Sequence, residues 1–263
     1  MVQTNSENLA RVVYIAGQGH SGTTLLDLAC SSGGISVSLG ELQISLGLEA
    51  ADVTSQICSC GAPTLECTLW GPYFSGIEGL DRNERFKRIM EAASELVGPE
   101  GLVVDSSKTI AGLRRVAPLD PFVLHTSKDM RAYISAQLKR ADRIGKRRPR
   151  AIDEGISWWR QNGRIRDAIQ ELNLSSLTTT YEEICLATQT AADRINAFVG
   201  AQLVDAENVL SSQNHHIISG NGMRTSHGGK LRYDYRWMRE SDWLLPYMVL
   251  RSARKQNEQR YKT

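Results

Sequence analysis

The chain of 263 residues is 41% hydrophobic and 23% charged, which predicts a single globular domain over residues 1–263. Its net charge of +2 is too small to favour a nucleic acid or a membrane surface as partner, because both attract an extended basic face. The polar start "MVQTNSENLA" and the lack of a long apolar run predict neither a signal peptide nor a membrane helix, so we expect a cytoplasmic protein.

In chain order, short apolar runs alternate with segments of helical periodicity. The runs "RVVYIAG", "GLVVDSS", "PFVLHTS" and "SLTTTYEE" predict buried strands. Helices are predicted in "LLDLAC", after a capping Asp81, from Asp129 onward, and in "EEICLATQTAADRINAFVG", which Gly200 ends. This alternation predicts an α/β domain with a mostly parallel sheet flanked by helices. Its ligands should lie outside the carboxyl ends of the strands.

Residue spacing predicts which helix faces point inward. After Asp81 the expected inner face consists of Phe86, Ile89, Met90, Ala93, Leu96 and Val97. After Asp129 it consists of Met130, Tyr133, Ile134 and Leu138. Trp158 and Trp159 adjoin on another predicted helix and cannot share a face, so we expect one in the core and the other beside a ligand pocket.

Two segments interrupt the alternation. Residues 42–80 contain glycines, prolines and three cysteines without clear periodicity, which predicts an irregular insertion over the site. Residues 140–150, "RADRIGKRRPR", form a basic stretch. It is either a solvated surface loop or a lid that attracts an anionic cosubstrate.

The stretch "GQGHSGTT" after the first strand fits two phosphate-binding patterns. Gly17, Gly19 and Gly22 spell the G-x-G-x-x-G of dinucleotide-binding folds, in which Glu41 would hold the ribose. The same stretch is close to an NTPase loop, but Thr23 stands where that loop has its lysine. Backbone amides, a helix N-terminus and several hydroxyls remain, which favour a compact tetrahedral anion.

Five short motifs in the same order along the chain, together with one insertion, carry a family resemblance. "GQGHSGTT" resembles the 5′-phosphosulfate loop of sulfotransferases that use 3′-phosphoadenosine-5′-phosphosulfate (PAPS), with His20 in place of the usual Lys or Arg. "VVDSSK" is similar to their strand-end motif, "KDMRAYISA" to their 3′-phosphate segment, and "TTTYEEI" to the strand whose tyrosine lies against adenine. "HHIISGNGMR" resembles a late motif of the family, and "CSCGAPTLECTLW" resembles an insertion of its bacterial members.

The resemblance implies a P-loop-like fold, a PAPS cosubstrate and transfer of a sulfuryl group to a small-molecule hydroxyl or amine. The implied donor-binding residues are Gly19, His20, Ser21, Gly22, Thr23, Thr24, Lys128, Ser135, Tyr181, Asn221 and Arg224. The implied catalytic residues are Glu41 as base, with His20 as its alternative, and Lys108 as a stabiliser of negative charge. Because sulfuryl transfer needs a base and cationic or N–H donors, no metal is expected in the reaction.

Each assignment has an ordinary alternative. The loop hydroxyls would otherwise cap a helix, Lys108 and Lys128 would be exposed, and Glu41 would be an exposed glutamate that begins a helix. Tyr181 would be a core residue of a strand, and Arg131 is expected on a helix surface. A non-catalytic nucleotide-binding protein and a nucleotide-dependent kinase also remain open, with a dinucleotide-binding oxidoreductase behind them.

The cysteines predict no metal centre. A closed zinc site needs four ligands, and Cys58, Cys60 and Cys67 have no histidine near them in sequence. We therefore expect reduced, packed thiols or a redox-labile pair at these positions. Cys30 and Cys185 fall in predicted helices and are expected in the core.

Overall fold

The computed structural model of the protein describes residues 9–210, 214–220 and 231–260. In these ranges, five strands form one all-parallel sheet in the order β2-β3-β1-β4-β5, and helices cover the sheet. The strands are β1 Arg11–Gly17, β2 Ser36–Ser38, β3 Leu102–Lys108, β4 Phe122–Ser127 and β5 Ser176–Thr180. The structure confirms the α/β class and the parallel sheet predicted from the sequence.

The helices fill the connections between the strands. They are α1 Thr23–Cys30, α2 Leu42–Ser45, α3 Trp70–Phe74, α4 Arg82–Val97, α5 Ile110–Val116, α6 Met130–Arg143, α7 Ala151–Glu171, α8 Tyr181–Leu186, α9 Thr188–Val199, α10 Leu244–Val249 and α11 Arg251–Gln259. Among the described residues, no helix has both the length and the apolar character that crossing a bilayer requires.

The side chains of β1 alternate between two buried layers. Val12 and Tyr14 pack into the layer formed with α3, α4, α5 and α7, whereas Val13 and Ile15 pack against α1 and α9. Every residue of β1 after Arg11 is buried, as expected for a central strand of a parallel sheet covered on both faces. The rigid centre of the sheet therefore carries the loop that begins at Gly17.

The helix predictions are confirmed with local corrections. Asp81 caps α4 by accepting hydrogen bonds from the backbone N–H groups of Asn83 and Glu84. Leu96, predicted to point inward, is 47% exposed, because the buried stripe of α4 is narrower than its apolar pattern. The helix predicted to end at Gly200 is two helices, α8 and α9, which meet at the non-helical Ala187.

Residues 42–80 are irregular but not loose. The segment contains α2, α3 and short 3₁₀ turns, and it buries Trp70, Tyr73 and Phe74 in mutual ring contacts. Because these aromatic side chains lie in the same layer as Tyr14, the insertion is part of the core rather than a cover over it.

A buried histidine in the sheet makes stability depend on pH. His125 lies on β4, and its Nε2 atom is 3.3 Å from Oδ1 of Asn162. Burial lowers the pKa of His125 from 6.5 to about 4. The unfolded state therefore binds the proton first as the pH falls. We expect this residue alone to lower the free energy of unfolding by about 3 kcal/mol between pH 6.5 and pH 4.

Urea unfolding of the wild type and of His125→Gln at several pH values measures this contribution. Burial raises the pKa of Asp27 to about 6 and that of Asp105 to about 7, which stabilises the fold toward acid, but both carboxyls are present in both proteins. The wild type should lose more stability on acidification than the variant. Parallel pH profiles would show that His125 is not held neutral by the fold.

Candidate functional site

A cleft of about 990 Å³ lies at the carboxyl ends of β1, β3, β4 and β5. Its walls come from the loop after β1, from one face of α6, and from the C-terminal segment 232–237. Of the residues predicted to form the site, it brings together Gly19, His20, Gly22, Thr23, Thr24, Glu41, Lys108, Lys128, Ser135 and Tyr181. Two others, Asn221 and Arg224, lie outside the described residues.

Backbone geometry shapes the loop between β1 and α1. A Cβ at Gly17 would lie 2.7 Å from the carbonyl oxygen of Thr126, so only glycine lets β1 approach the end of β4 this closely. Gly22 is the N-cap of α1 with a φ of 88°, and His20 has a φ of 69°. A Cβ at Gly19 would meet none of the described residues within 4 Å, which leaves space between them and the loop. The first N–H groups of α1 therefore face a region that a ligand can approach.

The loop also contains a buried hydroxyl that lacks a partner. Ser21 is fully buried, and among the described residues its Oγ has no hydrogen bond. The alternative interpretation was that a loop hydroxyl caps α1. The N-cap residue is Gly22, which has no side chain, so no hydroxyl fills that position. A buried hydroxyl without a partner costs free energy unless a ligand or water satisfies it.

A β-bulge positions Lys108 at the end of β3. Tyr14 pairs with Asp105 and Ala16 with Lys108, so β3 has one more residue than β1 over this stretch. Lys108 has a φ of 66°, and its Nζ lies 2.5 Å from Oε1 of Glu41. Only 16% of the Lys108 side chain and 18% of the Glu41 side chain are exposed. This ion pair therefore lies in the wall of the cleft rather than on the open surface.

Glu41 lies between the end of β2 and the segment 214–220. It is the N-cap residue of α2, and its backbone oxygen accepts a hydrogen bond from Ser219. A Cβ at Gly220 would lie 2.8 Å from Oε1 of Glu41, so a larger residue there would displace the carboxylate. Glu41 begins a helix, as the non-catalytic interpretation predicted, but its side chain is half-buried and paired with Lys108 rather than exposed.

Lys128 is almost completely buried at the end of β4. Its Nζ lies 4.2 Å from the centre of the Tyr181 ring, and its carbonyl oxygen accepts a hydrogen bond from Nε1 of Trp158. Burial lowers the pKa of Lys128. The ordinary alternative, an exposed lysine, is therefore wrong at this position. Within the described part of the chain, the Lys128 ammonium forms no direct ion pair with a carboxylate, so its N–H donors can bind an anion.

Tyr181 connects the lysine to the glycine loop. The residue begins α8 rather than lying inside β5, and its ring faces Gly22, where a Cβ would be only 2.8 Å from Cδ2 of the ring. Its hydroxyl accepts a hydrogen bond from the backbone N–H of Asp234. The ring thus presents a flat aromatic surface between the loop and Lys128.

Buried polar contacts support the end of β4 from behind. Arg260 donates to Glu182 at 3.1 Å and to Ser127 at 3.3 Å. Glu182 accepts from the backbone N–H of Asp129, and Asn257 accepts from the N–H of Met130. The C-terminal helix therefore fixes the turn that carries Lys128.

The sequence analysis interpreted residues 140–150 as a surface loop or an anion-attracting lid, and it missed that α6 extends a cationic face into this stretch. Lys139, Arg140 and Arg143 line the cleft together with Ala132, Ser135 and Ala136. The prediction of a loop from residue 140 is wrong at its start, because α6 continues to Arg143. Helical spacing from Ser135 to Lys139 and Arg143, four residues each time, was the signal that would have found this face.

The C-terminal contributions were also missed. Arg232, Asp234, Arg236 and Trp237 line the cleft, and the Asp234 carboxylate pairs with Arg236. Arg131, expected on a helix surface, contacts the ring of Trp237 and forms two hydrogen bonds with Asp129. Of the two adjacent tryptophans, one was expected in the core, and Trp158 is buried there. Trp159, expected beside a ligand pocket, is exposed and is not among the residues that line this cleft.

A second cluster of polar side chains lies outside the cleft, where the insertion meets the segment 214–220. The thiols of Cys58, Cys60 and Cys67 and the imidazole of His216 place one ligand atom each within 4.8 Å of the others. The expectation that these cysteines have no fourth ligand is therefore wrong. The histidine comes 149 residues after Cys67, so only folding brings it to the thiols.

The remaining cysteines lie where their helices predicted. Cys30 is completely buried on α1, and Cys185 is half-buried on α8. Burial raises the pKa of both thiols, so they remain protonated and unreactive at neutral pH. They thus behave as packing residues.

Neither the scan against protein-family models nor the search of curated proteins found a match. Among solved structures, the chain is similar to a crystal structure of a sulfotransferase from Alicyclobacillus acidocaldarius. The two sequences are 13% identical, and the TM-score is 0.46. The matched region covers 74% of this chain and 83% of that chain.

Burial and the positive charges of the cleft both act on the protonation of His20. Desolvation, followed by the cationic side chains of Arg140, Lys108, Arg143 and Lys128, lowers the pKa of His20. The imidazole is therefore neutral at pH 7, so it acts as an N–H donor or a base and not as a fixed cation.

We expect Arg140→Gln to raise the pKa of His20 back toward its ordinary value, because one repelling cation is removed. An NMR titration of the imidazole carbon resonances measures this change. Arg147→Gln is the matched control, since Arg147 does not line the cleft and should leave the titration unchanged. An identical titration in all three proteins would mean that the cleft charges do not act on His20.

Proposed function

We propose that the protein transfers the sulfuryl group of PAPS to a hydroxyl or amine of a small-molecule acceptor. The observation that carries the proposal is the convergence of the glycine loop, Lys108, Lys128 and Tyr181 on one cleft. The loop has Thr23 where a nucleoside-triphosphate enzyme has its lysine, so its anion chemistry is of another kind.

The donor fits the cleft by the chemistry of its parts. The 5′-phosphosulfate would accept hydrogen bonds from the amides at the start of α1 and from the hydroxyls of Ser21, Thr23 and Thr24. The adenine would lie against Tyr181, which lines the cleft, as the family resemblance implies. Lys128 and Ser135 would hold the 3′-phosphate, together with Arg224, whose part follows from the family resemblance alone.

The cationic wall adds a second argument for a highly charged donor. Lys139, Arg140 and Arg143 line the cleft, although the whole chain has a net charge of only +2. Lys139 also forms an ion pair with Glu240 at 2.8 Å, so the two arginines carry most of this argument. Positive charge is thus concentrated where the donor would enter. A cosubstrate with two phosphate groups and a sulfate uses such a concentration more fully than a mononucleotide does.

In the proposed reaction, an acceptor oxygen or nitrogen attacks the sulfur in line with the bond to the 5′-phosphate. A new bond to sulfur forms, and the bond between sulfur and the bridging oxygen breaks. Its electron pair remains on the phosphate, where Lys108 and the loop amides stabilise it. The proton of the acceptor passes to the carboxylate of Glu41, with His20 as the alternative base.

In this proposal, the base and the stabiliser would be the two partners of the ion pair between Glu41 and Lys108. In the structure, Nζ of Lys108 lies 2.5 Å from Oε1 of Glu41. As charge develops on the leaving phosphate and the proton reaches Glu41, the interaction of Lys108 would transfer from the carboxylate to the phosphate. The two events are thus coupled through a single ammonium group.

The dinucleotide-binding alternative is less consistent with the strand order. In that fold the carboxylate that binds ribose follows the strand next to β1. Here β3 lies between β1 and β2, and Glu41, which follows β2, is paired with Lys108. A nucleotide-dependent kinase would instead require magnesium for turnover, whereas the proposed reaction does not.

Nucleotide binding tests the proposed donor. We expect 3′-phosphoadenosine 5′-phosphate to raise the melting temperature much more than AMP does, because only the former engages Lys128 through a 3′-phosphate. Lys128→Met should weaken its binding about thirtyfold, the scale of ~2 kcal/mol for a charged hydrogen bond. Thermal shift and calorimetric titration measure both effects.

Lys146→Met is the matched control, because this exposed lysine does not line the cleft. It should bind both nucleotides as the wild type does. Equal stabilisation by 3′-phosphoadenosine 5′-phosphate and AMP would contradict a dedicated 3′-phosphate site.

Substitution of Glu41 tests the proposed base. Glu41→Gln keeps the shape of the side chain and removes its basicity, so turnover should fall about a hundredfold or more. Binding of 3′-phosphoadenosine 5′-phosphate should remain nearly unchanged. Sulfuryl transfer from PAPS over a panel of small hydroxyl and amine acceptors, with and without EDTA, provides the assay.

Glu49→Gln serves as the control, since Glu49 is an exposed glutamate paired with Arg85 away from the cleft. Normal turnover in Glu41→Gln would transfer the role of base to His20 or Lys108. Weaker nucleotide binding with normal turnover would instead identify Glu41 as a ribose ligand.

A further inference from the structure

Three side chains of the insertion and one from the segment 214–220 have the geometry of a closed metal site. The Sγ of Cys67 lies 3.7 Å from that of Cys58 and 3.8 Å from that of Cys60. A tetrahedral zinc ion with Zn–S bonds of 2.3 Å separates its sulfur ligands by about 3.8 Å. A disulfide bond would need about 2.05 Å. These thiols are therefore spaced for a shared metal ion and not for a covalent bond.

The histidine completes the tetrahedron. Its Nδ1 atom lies 3.1 Å from the sulfur of Cys67 and 4.0 Å from that of Cys58. These distances bracket the separation of about 3.6 Å expected between a sulfur and a nitrogen ligand of tetrahedral zinc. All four ligand atoms lie within 4.8 Å of one another, so one ion can reach them together.

The surrounding backbone suits thiolate ligands. N–H groups of Leu69 and Trp70 donate to the sulfur of Cys67, and the N–H of Cys60 donates to the sulfur of Cys58. Nε1 of Trp70 also donates to the carbonyl oxygen of His216 at 2.6 Å. Such outer contacts hold metal ligands in place.

We infer that Cys58, Cys60, Cys67 and His216 bind one structural zinc ion. Three thiolates and an imidazole in tetrahedral arrangement select zinc over magnesium and calcium, which prefer oxygen ligands. Four protein ligands leave no open position for a substrate, so the ion acts on the fold and not in catalysis. The inference is independent of the proposed function, because it depends on these four side chains and their neighbours alone.

The zinc ion would fasten the insertion to the segment 214–220. Ser59 already donates from its backbone N–H to the carbonyl oxygen of Ile217, and its Oγ accepts from the N–H of Ile217. The same short segment continues to Ser219 and Gly220, which contact Glu41. A metal bond to His216 would thus support the wall of the cleft at Gly220, three intervening residues further along the chain.

Elemental analysis of the purified full-length protein tests this inference. We expect about one zinc ion per chain, and its loss in Cys58→Ser and His216→Ala. His216→Cys should retain zinc, because it supplies a fourth thiolate at the same position. Cys185→Ser is the matched control and should retain zinc as well, since Cys185 is not part of the cluster.

Cobalt substitution of the wild type keeps the test decisive where a ligand variant does not fold. Cobalt should give a sulfur-to-metal charge-transfer band and the intense visible bands of a tetrahedral ion. A chelator should lower the melting temperature and expose three further reactive thiols. Wild-type protein that takes up less than about a tenth of an equivalent of zinc on reconstitution would overturn the inference. Zinc that persists in both Cys58→Ser and His216→Ala would also overturn it.

Discussion

The parallel pairing of the strands is the constraint on which the rest of the structure depends. β1 pairs with β3 on one side and with β4 on the other, so three distant parts of the chain end at one edge of the sheet. The glycine loop, Lys108 and Lys128 follow those three ends. Because each strand is buried, the positions of these groups are set by the core rather than by the loops.

Close packing at that edge makes the arrangement specific. Gly17 allows β1 to approach Thr126, the bulge in β3 redirects Lys108, and the contacts of Arg260 hold the end of β4. Each of these three features fixes the position of a backbone turn, and that turn directs a side chain or an N–H group toward the cleft. A change that leaves the chemistry intact but shifts one turn would therefore separate charges that the proposed reaction needs together.

The sequence predicted what local patterns determine. Strand positions, the cap at Asp81 and the buried face of α6 follow from hydrophobic periodicity and capping chemistry, which involve residues close in the chain. The pairing of Glu41 with Lys108 and the arrival of His216 at the cysteines depend on long-range contacts, which local patterns do not encode. The helical position of Arg140 and Arg143 was missed for a different reason, since a run of basic residues has the composition of a loop or lid even where it continues a helix.

The segment at Asn214 to His216 has a consequence for synthesis of the protein. It pairs with the outer side of β2, where Ser38 donates to the carbonyl oxygen of Asn214 and accepts from the N–H of His216. A ribosome produces β2 long before this segment. Nascent or truncated chains that end before residue 214 would expose the unpaired edge of β2, a surface on which another chain can add a strand.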